Sequence, residues 1–283
     1  MNGIARRDAS DQRQRSWWLL LSLPIGVLGL IGAAVGALVD GAYSGMTHEW
    51  ANQTLGQDVA DLAVGFPLLL VLAAMAARGS SRALIGWLGV IIATLYTYVI
   101  FTLDVPFGHL YLLNVAILGM TGAAFLGCLT AVRPDLVRQR FDARAPTRST
   151  GWSLIAVAVL FFGLWLVEDL PATINGVASP ALQEVGLFSN PVHVLDMAFL
   201  LPACIAAGVA LVQRRAWAYV LAPALTAALA TISAGIVAIM AIAMLDGEDG
   251  LLAIATVMTI VGLGQAAMTV RFLRHLRPIE ASR

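Results

Sequence analysis

Asp61 and Asp196 stand out because each is set in a run of apolar residues, and each recurs in the same company. Asp61 lies in Val59-Ala-Asp61-Leu-Ala63-Val-Gly-Phe-Pro67, and Asp196 in Val194-Leu-Asp196-Met-Ala198-Phe-Leu-Leu-Pro202. The shared pattern is Val-x-Asp-x-Ala-x-x-x-Pro, at an offset of 135 residues. Three residues ahead of each stands a second polar group, Asp58 before Asp61 and His193 before Asp196. Residues three apart share a helix face, so each segment offers two oxygen or nitrogen ligands to one space. That is the chemistry of a cation or proton site. The same residue types also suit a plainer role, as polar groups near the start of a helix bonded to backbone amides or to Asn and Tyr side chains. Pro67 and Pro202 cannot donate a backbone hydrogen bond, so a kink and a freed carbonyl are expected at each.

Thr54-Leu-Gly-Gln57 has the form of a capping box, and Asn190-Pro191 that of an N-cap with proline at the first helical position. Helices beginning there would place each aspartate six or seven residues in, roughly 9–10 Å at 1.5 Å per residue. A carboxylate at that depth in a bilayer costs ~1–3 kcal/mol on insertion scales, unless it faces a bundle interior, water or the positive end of its helix.

Tyr96, Tyr98, Asn114 and Gln265 are further polar groups within apolar runs, and Tyr96, Tyr98 and Asn114 join Asp58, Asp61, His193 and Asp196 as candidate substrate- or ion-binding residues. Asn114 is expected to make an inter-helix hydrogen bond worth ~0.6–2 kcal/mol, with solute contact as its other role. His48, His109 and His193 fall near Glu49, Asp104, Glu168 and Asp169. These types suit divalent metals, but no His-x3-His or His-Glu-x-x-His spacing is present, so no metal or other cofactor is expected. Cys128 and Cys204 form no Cys-x-x-Cys pair and read as small buried apolar residues. His275 reads as a solvated tail residue. No phosphate-cradling glycine loop with lysine, no Ser/His/Asp arrangement in recognisable context and no nucleic-acid module occurs. No catalytic residue is therefore assigned.

The elements that carry these residues follow from composition. The chain is 59% hydrophobic and 12% charged, against about a quarter charged in a soluble domain. Apolar runs long enough to cross a bilayer as helices occupy Trp17–Val39, Val59–Ala77, Ala83–Leu103, Leu110–Val132, Gly151–Val167, Val192–Val212, Ala216–Leu245 and Leu251–Phe272. The first is 23 residues long, beyond a signal-peptide core, and reads as a retained anchor. The fold class expected is all-α, a polytopic membrane protein with eight transmembrane helices.

All 17 basic residues are arginines. Threading the eight runs back and forth leaves every one on one side, with Asp40, Glu49, Asp104, Glu168, Asp169 and Asp246 among the acids opposite. The arginine excess marks the cytoplasmic side, so both termini are expected there, in a plasma membrane. Absence of lysine beside abundant Ala, Gly and Arg suggests a GC-rich bacterial genome.

The matched aspartate segments are joined by other parallels. Helix one ends Leu-Val-Asp40 and helix five Leu-Val-Glu168, each before a long outer loop (40–57 and 168–191). We read two parallel tandem four-helix repeats, 17–132 and 151–272, flanked by tails 1–16 and 273–283 and joined by a basic linker, 133–150. Parallel repeats often bind ligands where the halves meet. Gly32-x3-Gly36 and Gly119-x3-Ala123-x3-Gly127 read as close helix contacts, and Trp17, Trp18 and Trp152 as interfacial anchors.

The Asp61–Pro67 stretch, the Arg78–Ser80 turn and Asn190–Pro191 ahead of Asp196 make the layout similar to a group of uncharacterised bacterial eight-helix membrane proteins. The resemblance spans most of the chain and implies no activity. The functions expected are transport of a small solute or cation; alternatively a non-catalytic sensor or assembly subunit; and last an intramembrane enzyme acting on lipid or quinone. The bilayer is the expected partner, with no nucleic acid.

Overall fold

The computed structural model describes residues 17–277; the two tails beyond them, with Arg6, Arg7, Arg13, Arg15 and Arg283, lie outside the described residues. Eight helices are long and apolar enough to cross a membrane. They are α1 Trp17–Leu38, α2 His48–Ala77, α3 Ser81–Asp104, α4 Tyr111–Ala131, α5 Thr147–Asn175, α6 Pro191–Val212, α7 Ala218–Leu245 and α8 Leu252–Leu273. Lipid offers no partner for backbone N–H and C=O groups, which is why every crossing is helical.

Two helices are longer than the apolar runs imply. α2 starts at His48, where the extended Thr47 accepts from the Trp50 N–H at 3.2 Å. Thr54 and Gln57 are therefore mid-helix rather than a capping box. Thr54 Oγ1 bonds back to the Trp50 carbonyl, and Gln57 reaches forward to Asp61. The polar first turns are helix-compatible, and the earlier cap takes precedence. α5 continues through Pro171 to a left-handed Gly176 (φ 67°). The two long loops shrink accordingly to 39–47 and 176–190, the second carrying a short helix Pro180–Val185. Asn190 does cap α6, accepting from the His193 N–H at 3.2 Å.

The helix ends meet as an even number of crossings requires. At the acidic end the Trp50 indole donates to the Asp104 carbonyl (3.2 Å), Thr47 to the Val185 carbonyl (2.9 Å), and His48 pairs with Asp246. At the arginine-rich end Arg82 donates to the Leu276 carbonyl (2.7 Å) and Arg140 to the Arg277 carbonyl (2.6 Å). Phe141 and Leu276 form a single antiparallel bridge between the linker and the C-terminal segment. His275 is consequently no solvated tail residue: its Nδ1 lies 3.2 Å from Asp142.

The interior forms two apolar clusters. One is built mainly on α1–α4 around Ile25, Phe66, Leu88 and Ile117. The other lies mainly on α5–α8 around Leu154, Leu201, Leu211 and Phe272. α7 joins them, packing against α2, α3, α6 and α8. Its approach to α3 depends on Gly89, where an added Cβ would lie 2.5 Å from the Ala224 carbonyl oxygen. Trp18 belongs to the first cluster and is not an interfacial anchor; its ring packs on buried Trp87 at 5.2 Å. Trp17 and Trp152 are exposed. Gly127 meets Trp18 closely and Gly32 meets Leu113, but Gly119 faces open space, so only part of the expected small-residue stripe makes contacts.

Candidate functional site

The two aspartates open matching irregularities. Residues Asp61–Gly65 in α2 and Asp196–Leu200 in α6 form π-helical turns. The Phe66 N–H bonds to the Asp61 carbonyl, and the Leu201 N–H to the Asp196 carbonyl. The next residue in each helix is the proline, which has no N–H to continue the ladder. The expected kink is thus realised as a widened turn just ahead of it, a feature frequent at functional positions. Asp61 and Asp196 each stand 16 residues before their helix ends, Ala77 and Val212, about 24 Å along the axis. The two carboxylates share one level relative to those ends. Asp61 is 13 residues from the start of α2, twice the distance the sequence expectation assigned, because α2 begins earlier.

Asp61 is buried and incompletely bonded. Gln57 Nε2 donates to its Oδ1 at 3.1 Å, while its Oδ2 is buried with no hydrogen-bond partner among the described residues. Asp58, one turn earlier, accepts from the Tyr43 hydroxyl. Burial first, then the neighbouring Asp58, holds that phenol far above its ordinary pKa, so it remains a donor. Gly36 of α1 leaves the room this pair occupies, since an added Cβ would sit 1.9 Å from Asp58 Oδ2.

Asp196 is better satisfied. The Trp165 indole N–H of α5 donates to its Oδ2 at 2.8 Å, and the Tyr96 phenol of α3 also reaches the carboxylate. The same indole stacks on buried His193, with ring centroids 4.1 Å apart at 27°. His193 Nδ1 lies 2.9 Å from Asp169 Oδ2. Glu168, Asp169 and His193 offer one ligand atom each within 4.8 Å of one another, a grouping that divalent metals accept. Ser179 donates to Glu168 at 3.1 Å in the same cluster.

α3 distributes its polar residues between the halves. Successive helix residues point about 100° apart, so Tyr96, Thr97 and Tyr98 face three ways. Tyr96 packs toward the second cluster and Asp196. Tyr98 packs in the first cluster against Phe66 (6.0 Å) and Phe101 (5.6 Å), within electrostatic reach of Asp61 and Asp58. Thr97 faces a cavity of about 90 Å³ whose walls include Gln53, Gln57, Tyr96, Val192 and Ile236. A space of this size holds a few waters. Neither aspartate lines it; each stands behind a residue that does, Asp61 behind Gln57 and Asp196 behind Tyr96.

Asn114 is not part of this assembly. It is buried on α4 and borders no part of the cavity, and among the described residues its side chain makes no inter-helix hydrogen bond. Gln265 does make one, from Nε2 to Ser153 Oγ at 2.9 Å, joining α8 to α5. The residues that sequence reasoning missed are Gln57, Trp165, Thr97 and Tyr43. Trp165 carried no usable signal, because an apolar run ending at Val167 puts it at a span edge; only the continuation of α5 to Asn175 places it inside. Cys128 and Cys204 are buried, as their apolar setting implied.

Eight apolar helices around a small polar interior define the class, a multi-pass helical membrane protein. No protein-family model, curated protein or solved structure matches the chain.

Proposed function

We propose that the protein is a carrier for a small cation, bound between its two halves by the carboxylates of Asp61 and Asp196. The observation that carries this reading is the buried, unpartnered Oδ2 of Asp61 beside the Gln57 wall of the inter-half cavity. A buried carboxylate oxygen without a donor is costly, and a bound proton or cation removes that cost. The matching π turn at Asp196 supports a second half-site on α6, where Trp165 and Tyr96 already donate to the carboxylate. The small cavity favours a partly hydrated ion over a larger solute.

The proposed setting is a bacterial plasma membrane, with the arginine-rich end and both termini cytoplasmic. Two tandem four-helix repeats account for the paired aspartate, π turn and proline. A hydrocarbon core ~30 Å thick, measured from the arginine-rich helix ends, leaves the carboxylates ~6 Å beneath its outer boundary. The occupant would therefore enter from outside.

The test is a thermal-shift series on purified protein in sodium, potassium or lithium chloride, against choline chloride at equal ionic strength. One alkali cation is expected to raise the melting temperature of the wild type. Asp61→Asn and Asp196→Asn should each abolish that response while inserting and folding normally, and uptake of the same cation into proteoliposomes should fall at least tenfold. A wild-type response in Asp61→Asn would remove the site.

A further inference from the structure

At the arginine-rich end, a groove of about 440 Å³ opens between α1, α3, α4 and the short helix Pro134–Gln139. Trp18, Leu84, Leu88 and Val137 are among its apolar walls, and Arg133 and Arg140 also line it. Among the described residues neither arginine has a carboxylate within 4.0 Å, and every side-chain ion pair uses histidine. Arg133 is exposed. Arg140 donates through its two Nη groups to Ser81 Oγ and the Arg277 carbonyl, and its Nε has no acceptor. Those acceptors are neutral, so no described residue compensates the charge.

An apolar trough edged by two uncompensated guanidinium groups, at the level where the helices end, is complementary to an amphiphile with an anionic head. Guanidinium matches phosphate oxygens in geometry as well as charge. We propose that this groove binds one anionic phospholipid, its acyl chain against Leu84, Leu88 and Val137 and its phosphate held by Arg133 and Arg140. The residues preceding Trp17 are neighbours by chain position, but they carry four arginines against two aspartates. That net charge has the same sign as Arg133 and Arg140 rather than the opposite sign that would complement them.

The experiment compares phosphatidylglycerol with phosphatidylcholine of identical chains, added to the purified full chain and read by native mass spectrometry and thermal shift. Phosphatidylglycerol is expected to be retained and to raise the melting temperature; phosphatidylcholine is not. Arg133→Gln, a surface change, should lower phosphatidylglycerol retention about tenfold without altering the lipid-free melting temperature. Ala131→Phe, which fills the groove, should abolish retention; if it fails to fold, Arg133→Gln still decides the matter. Equal retention of the two lipids, or undiminished retention in Arg133→Gln, overturns the proposal. So does equal stabilisation by inorganic phosphate, which would make the free anion the ligand. An Ala131→Cys thiol that is shielded from maleimide in lipid-free protein would assign the groove to the chain's own N-terminal residues, and also overturns it.

Discussion

Gly36 is the position where one added carbon should do the most local damage. Its Cβ would collide with both Asp58 Oδ2 and the Tyr43 hydroxyl, so Gly36→Ala must push the pair apart or shift α1. The expected cost is ~1–3 kcal/mol of stability, the range for forced overpacking. The same substitution in an Asp58→Ser background should cost far less; an equal cost in both, measured by denaturation in mild detergent, would show that the pair is not what Gly36 accommodates. At this scale the sequence was partly informative. Asp58, Asp61, His193 and Asp196 were visible because charge inside an apolar run is rare. Their partners were not. Tyr43, Gln57 and Trp165 reach the acids through tertiary packing, and nothing in their spacing encodes it. Asn114 is the opposite case, a polar residue in an apolar run whose side chain bonds to no described residue.

The π turns in α2 and α6 belong to the scale of single elements. The Asp-to-Pro interval announced an irregularity, but spacing alone does not distinguish a kink from a widened turn. Pro202→Ala restores a backbone donor and allows α6 to relax to regular α geometry, which rotates Asp196 away from Trp165 and Tyr96. The carboxylate is retained in this variant, yet the cation-dependent thermal shift is expected to shrink several-fold. An unchanged shift would mean that the wide turn does not present the acid. Helix identities were legible throughout, since eight long apolar runs admit no other structure in lipid. Helix ends were less so. α2 begins in a polar stretch that hydropathy does not count, and α5 runs through Pro171, where a stop would be the usual reading.

At the scale of the whole molecule, the C-terminal segment is pinned to α3 by Arg82 and to the linker by Arg140 and the Asp142–His275 pair. The His275 hydrogen bond first, then the Arg144 backbone N–H, holds the Asp142 carboxyl below its usual range. A depressed folded pKa contributes stability above the unfolded value of about 3.9, and that contribution is lost as pH falls through the folded value. Wild type should therefore melt above Asp142→Asn at pH 5, by a margin that shrinks as pH falls toward 3. A margin independent of pH would rule out this pairing as its source. Sequence separation hid the clamp, because it joins residues 82, 140–142 and 275–277. One consequence reaches across both halves. Tyr96 and Tyr98 leave α3 on nearly opposite sides, one attending each acid. Because both phenols ride on one rod, a change that turns α3 about its axis must disturb the surroundings of both acids together.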